Sequence, residues 1–318
     1  MTPAVVGIGE TLIRCTPSGG ETLESAPVFT AHVAGAESNV CANLARLGVA
    51  TAWISRLPRN PLGRHIASAI RGRGVDTDGV LWAPDGRVGL IFVQPATGPR
   101  PGEVLYYRRD SAFAQIDPDA VEWDRLAGAG VVHLTGITLG LGEGPRRLVE
   151  RSIEEARRRG ARISFDVNYR ATLWPPEAAR ATLEPLIRGL DIVFVNDRDA
   201  RTVFGADGDP PSVAAALRGR FGCDVLVLTL GARGALAQDG AGPHQVPAYP
   251  ADVVDRIGRG DAFAAGFLYG SLRGSTADGL RAGVALAALK QTHPGDMCDA
   301  TPDEVEALLQ GSFSTFHR

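Results

Sequence analysis

Cysteine is scarce in this chain and widely scattered. Cys15, Cys41, Cys223 and Cys298 form no CxxC pair and have no histidine at metal-ligand spacing, which excludes a disulfide framework or a zinc site and points to a reducing compartment. Long apolar runs are missing too. Nowhere do about 18 apolar residues follow one another, as a membrane span requires. The N-terminal MTPAVVGIGE has neither a basic n-region nor a long apolar h-region. A cytoplasmic protein with no membrane partner is therefore expected. Nor is there an excess of one charge: Lys plus Arg (33) against Asp plus Glu (36) leaves a net charge of -3, with no long basic run. Affinity for a phosphodiester backbone has no electrostatic source, so nucleic acid is not an expected partner.

Three signatures of familiar chemistry are also absent. No GxxxxGK[ST] occurs, and the scattered histidines have no GxSxG to work with. GIGETL at 7–12 lacks the third glycine of a dinucleotide fingerprint and leads into no helical pattern. Internal repeats at solenoid periods and low-complexity tails are lacking as well.

What is present is a chain of 318 residues, 44% apolar, long enough to bury a sizeable core. Short β-rich runs alternate with helical patterns. The runs are VVGIG (5–9), TAWIS (51–55), VVHLTG (131–136), ISFDV (163–167), DIVFV (191–195) and DVLVLTL (224–230). Amphipathic stretches such as SNVCANLARLG (38–48), PRRLVERSIEEARRRG (145–160) and PPEAARATLEPLIRG (175–189) lie between them. Strands this apolar are covered on both faces, which predicts a doubly wound, mostly parallel α/β sheet. Residues 10–34 and 85–111 break the alternation with strand-like pieces and Gly/Pro turns. They read as a β lid inserted into a core of residues 1–9, 35–84 and 112–318, near the strand ends where ligands bind in such sheets.

The richest stretch for chemistry is DRIGRGDAFAAGF, 255–267. Glycine-rich backbone leading into a helix N-terminus forms an anion cradle, and a phosphate fits there. Asp261 at the junction is a candidate general base for a hydroxyl attacking phosphorus. The plainer reading makes it a helix N-cap. TLGARGAL (229–236) offers exposed amides, with Thr229 or Arg233 within reach of an anion, or else a simple strand-to-strand turn. In GAESN (35–39), Gly35 lets a ligand approach the backbone and Glu37 and Asn39 offer directed hydrogen bonds; alternatively Ser38 or Asn39 caps the helix. Arg108, in YYRR of the lid, and Arg170, in DVNYR after a core strand, are placed to close on a carboxylate from two sides, with solvated or ion-paired roles as the alternative.

Taken in order, VxGIGE, GAESNVCANLARLG, the lid pair, TLGARG and GRGDAFAAGF resemble the ribokinase-like (PfkB) carbohydrate kinases over nearly the whole chain. GAESN, YYR, HLTGIT (133–138), SFDVNYR (164–170) and HPGD (293–296) most resemble the 2-keto-3-deoxygluconate kinases among them. The resemblance implies transfer of the γ-phosphoryl of ATP, with Mg2+, to a sugar-acid hydroxyl, most simply 2-keto-3-deoxygluconate to its 6-phosphate. It leaves a monovalent cation open. Asp261 would be the base, and Gly258, Arg259 and Gly260 the anion hole. Gly35, Asn39, Tyr106, Arg108, Arg170 and Asp296 would hold the sugar acid. Thr229, Leu230, Gly231, Ala232, Arg233, Gly234 and Asn196 would meet the nucleotide, and Asp199 would act indirectly on the metal.

Three departures stand out. Arg259 replaces the alanine of the family's GAGD, Ile91 replaces a lid tyrosine, and Asp199 replaces the glutamate of NxxE. They keep two alternatives open: a kinase for a neutral sugar such as fructose or ribose, and a non-catalytic sugar- or nucleotide-binding relative. An exposed lid edge predicts a homodimer.

Overall fold

A residue on a strand buried on both faces sends its neighbours to opposite sides, and the apolar runs here do this repeatedly. In the computed structural model, which describes residues 2–312, the strands are β1 (Val5–Ile8), β2 (Leu12–Pro17), β3 (Phe29–Ala34), β4 (Thr51–Pro58), β5 (Val80–Ala83), β6 (Leu90–Gln94), β7 (Glu103–Tyr107), β8 (Val131–Thr135), β9 (Arg162–Asp166), β10 (Ile192–Asn196), β11 (Val225–Thr229), β12 (Ala235–Asp239) and β13 (Gly242–Val246). The helices are α1 (Ala36–Arg46), α2 (Pro61–Gly72), α3 (Gly136–Leu139), α4 (Glu143–Arg158), α5 (Pro176–Ile187), α6 (Asp197–Phe204), α7 (Pro210–Phe221), α8 (Arg259–Ser271), α9 (Thr276–Lys290) and α10 (Pro302–Leu309).

Nine strands form one sheet in the order β13-β12-β11-β10-β9-β8-β1-β4-β5, parallel from β11 through β5 and antiparallel at β12 and β13. Val193 and Val195 of β10 pack with α4–α7 in one core, while Ile192 and Phe194 of the same strand pack with α1, α8 and α9 in another. This is the doubly wound arrangement that the alternation of runs predicts.

The lid is a second sheet, β3-β2-β6-β7. Its pairs β2/β3 and β6/β7 are antiparallel, and its central pair β2/β6 is parallel. Directly opposed residues share a face, so His32, Arg14, Ile91 and Tyr106 form one row across the lid. Arg14 in that row meets Asp255 and Asp296 of the core, so the row is turned inward. The opposite face packs Ile13, Cys15, Val33 and Leu90 onto the core beside α1, α2 and β4, and farther out it exposes Leu105 and Tyr107 beside the edge-to-face ring pairs Phe29–Phe92 and Phe92–Tyr107.

Among the described residues five of the ten helices, α2, α6, α7, α9 and α10, begin with a side-chain cap their sequences encode. Asn60 caps α2, Asp209 caps α7, and Ser275–Asp278 and Thr301–Glu304 form capping boxes on α9 and α10. Helix α8 is among those that lack one. It starts after Gly258 with no side-chain cap, which leaves its first amides available.

Candidate active site

The polar side chains predicted to matter gather at the carboxyl ends of β1, β8, β9, β10 and β11, and the lid reaches this edge at Glu10, just beyond β1. Asp261 is the third residue of α8, one turn beyond its N-cap Gly258, so the N-cap reading of this aspartate does not hold. Its carboxylate is half-buried and accepts a 2.6 Å hydrogen bond from Asn39 Nδ2 of α1. Loss of water around it pushes its pKa up to about 8; the Asn39 bond and the charge of Arg170 pull it back, and Asp166 and Asp296 push the other way.

Gly258 has φ 78°, and a Cβ there would sit 1.9 Å from the carbonyl oxygen of Asp296. No residue but glycine fits this close approach. Among the described residues the amides of Gly258 and Gly260 donate to no protein acceptor, whereas the Arg259 amide lies 3.3 Å from the carbonyl of Arg256. Two of the three predicted anion-hole amides are thus open, joined by that of Asp261, while the third leans back into its own turn. The Arg259 guanidinium points to Gln291, at 3.5 Å.

Strand β9 ends in Asp166, whose carboxylate accepts the amide of Asn168 at 3.0 Å. That Asx turn supports the left-handed backbone of Asn168 (φ 39°), a conformation asparagine tolerates better than most residues. The turn delivers Arg170 to the cleft. Its guanidinium makes no hydrogen bond or ion pair with any described residue, yet its charge acts on Asp166, Asp199 and Asp261. Burial, reinforced by Asp199, pushes Asp166 up to about 7. Glu37 is fully buried one layer deeper, accepting from the hydroxyls of Thr135 (2.8 Å) and Thr138 (2.9 Å), and burial raises its pKa as well.

Several expectations need correcting. Arg108 does not stand free opposite Arg170: its Nε donates to Glu10 Oε2 at 2.8 Å, Glu10 also takes the Ser111 hydroxyl, and Arg108 is only 8% exposed. A buried guanidinium requires a carboxylate, and the lid closes over one at the end of β1. Asp296 is likewise turned from the cleft, its Oδ2 lying 2.8 Å from Arg14 Nε with 3% of the side chain exposed. Gly35 is extended at φ -174°, and the place of a Cβ is filled by Glu10, Thr11 and Ser38 rather than left for a ligand. Gly35 itself is the N-cap of α1, so neither Ser38 nor Asn39 caps that helix. Asp199 is buried and accepts from Asn196 Nδ2 (2.8 Å) and the Tyr169 amide (3.0 Å), so the first and last side chains of NDRD lock the β9 and β10 turns together. No group of three or more metal-ligating side chains occurs among the described residues.

The remaining predicted positions lie at the same end of the sheet. Tyr106 pairs with Ile91 in the inward lid row. Thr229 ends β11 beside Asn196. Leu230 is buried, Gly231, Ala232 and Arg233 form an exposed turn into β12 closed by Gly234, and Arg233 bonds Asp197 at 2.8 Å. TLGARG is therefore a strand-to-strand turn, and it also presents backbone to the cleft side of the sheet. Glu10, Arg14, Asp166, Asp255 and Lys290 had not been singled out. Asp166 carried a signal, as the first polar residue after an apolar parallel strand; the others depend on partners far away in sequence.

An uncapped helix N-terminus beside a carboxylate, at the carboxyl edge of a doubly wound sheet and under a β lid, is the site of a phosphotransferase acting on a small alcohol. Sequence and fold comparison agree: residues 3–303 match the pfkB family carbohydrate kinases, and the chain belongs to that family. It is 40% identical to a 2-dehydro-3-deoxygalactonokinase of Haloferax volcanii, over 98% of each chain. Its fold is similar to that of a 2-dehydro-3-deoxygluconokinase from Thermotoga maritima, with TM-score 0.92, 30% identity, and 98% and 99% of the two chains covered. It is also similar to a sugar kinase from Pyrococcus horikoshii solved in complex with ATP, with TM-score 0.82, 26% identity, and 94% and 96% covered.

Proposed function

We propose that this kinase transfers the γ-phosphoryl of ATP to a terminal hydroxyl of a 2-keto-3-deoxy sugar acid, gluconate or galactonate in configuration. The observation that carries this reading is the unpaired Arg170 guanidinium beside Asp261, in a cleft otherwise rich in carboxylates. An anionic substrate gives this guanidinium the partner it lacks: its carboxylate takes Arg170, and its far end reaches Asp261. The named activities of the full-length relatives support the same substrate class.

Ionised Asp261 takes the proton of the attacking hydroxyl while Asn39 keeps the carboxylate oriented. The open amides of Gly258 and Gly260, at the positive end of α8, hold the equatorial oxygens of the moving phosphoryl group. The exposed turn Gly231–Arg233 and the neighbouring Thr229 meet the nucleotide. Asp166 and Asp199, close enough that the charge of Asp199 raises the pKa of Asp166, would hold a magnesium ion that binds with the phosphates. Bound there, it would neutralise phosphate charge. Tyr106, from the inward lid row, contacts the sugar.

A neutral-sugar kinase is the second reading, favoured by the pairing of Arg108 with Glu10, which leaves one free arginine where two were expected. A coupled ATP assay over 2-keto-3-deoxygluconate, 2-keto-3-deoxygalactonate, fructose and ribose decides between them. Turnover confined to the neutral sugars refutes the sugar-acid reading.

The exposed apolar end of the lid adds a quaternary proposal. Tyr107 is about three-fifths exposed and Leu105 nearly two-fifths, an apolar patch that a second copy's lid would cover in a cytoplasmic homodimer.

A further inference from the structure

Residue 290 is the chain's single lysine among 318 residues, and it is completely buried at the end of α9. An ammonium taken out of water needs close oxygens. Lys290 Nζ donates to two main-chain carbonyls, those of Asp255 (3.2 Å) and His293 (3.3 Å). The carboxylates of Asp255 and Asp296 supply compensating charge from slightly farther away, against the opposing charge of Arg14. Carbonyl oxygens in direct contact, with carboxylates just beyond, are what a small bound monovalent cation would ask of the same site.

The carbonyl it holds opens the segment that makes the phosphoryl cradle. Asp255 Oδ1 accepts the Ile257 amide at 3.0 Å, and Oδ2 accepts from Arg14 Nη2 (2.8 Å) and the Gly295 amide (3.2 Å). The amides of Val254 (2.7 Å) and Asp255 (3.2 Å) both donate to the carbonyl of Gln291, the residue after Lys290. Gly258, Arg259 and Gly260 follow at once. The turn before the open amides is therefore fastened from several sides, and Arg14 of the lid and Lys290 of α9 both lend positive charge to Asp255.

We propose that Lys290 is a positioning residue for phosphoryl transfer, a built-in monovalent cation that holds the Asp255–Ile257 turn and through it the amides of Gly258 and Gly260. This rests on the reading of those amides as the phosphoryl cradle. Turnover then requires no added monovalent cation.

The test uses the full-length enzyme in buffers whose only monovalent cation is tetramethylammonium, which is too large for the site. Adding potassium or ammonium should change wild-type kcat by less than about twofold, whereas Lys290→Met should lower kcat on the order of 10- to 100-fold with KM for the sugar nearly constant, as expected for a misplaced catalytic group. Lys290→Ala should regain part of its kcat with ammonium or methylammonium, which a merely structural role would not produce. Stimulation of the wild type by potassium, or an undiminished kcat in Lys290→Met, overturns the role of Lys290 alone. If the Met variant does not fold, the wild-type cation titration decides by itself. A wild type inactive on every sugar overturns the kinase reading and this role with it.

Discussion

Removing the Asn39 amide tests the proposed base without touching it. In Asn39→Ala the carboxylate of Asp261 loses the 2.6 Å bond that favours its ionised form. A hydrogen bond to a charged group is worth about 1.5–3 kcal/mol when buried. Asp261 is only half-buried, so water replaces part of it, and about 1.4 kcal/mol remains, equivalent to about one pH unit. The base works only when ionised, and its pKa of about 8 in the free enzyme means that kcat/KM climbs with pH through that value and levels off above it. The substitution should move this acidic limb about one pH unit to the alkaline side. At pH 7 kcat/KM should fall about tenfold, and most of the loss should be recovered near pH 9.5. The assay is a coupled measurement of kcat/KM from pH 6 to 10 at fixed ionic strength, with the coupling enzymes checked for capacity at each pH. A uniform loss at every pH would mean that Asn39 acts on the substrate rather than on the base. An unmoved limb would mean that Asp261 is not the group whose ionisation limits the reaction.

Three further outcomes follow from the same geometry. Arg170→Ala should lower kcat/KM for a sugar acid by about 2–4 kcal/mol and leave any activity on fructose or ribose nearly unchanged; equal losses on both classes would contradict a carboxylate contact. Asp166 is held protonated by the fold up to about pH 7. The stability this contributes is complete below the unfolded carboxylate pKa and is lost as pH rises through the folded value. Asp166→Asn should therefore raise Tm at pH 8 and have little effect at pH 4, while it slows turnover, and a variant less stable at pH 8 would refute the sign. Tyr107→Asp should turn a dimer measured by light scattering into a monomer, and a monomeric wild type would remove the lid-pairing proposal.

The regularities in the sequence determined the layered α/β sheet. Runs such as DIVFV and DVLVLTL could satisfy their side chains only inside a sheet covered on both faces, and helical patterns separated them. Local chemistry also announced the α8 junction, since glycines and an aspartate ahead of a helix act through their own backbone and need no distant partner. The same holds for the turn that presents Arg170, built from an aspartate and an asparagine two residues apart. Tertiary structure alone decided where long-range charges pair. Arg108 could face a substrate or a protein carboxylate, and only the approach of β7 to the end of β1, 98 residues away, gives it to Glu10. Asp296 reads like a ligand until Arg14 meets it from the lid, and Lys290 reads like any surface lysine until α9 is seen to bury it behind the cradle. An ion pair has no period and no local signature. Its energy depends on distance and on excluded water, and both are set only when the chain has closed around it.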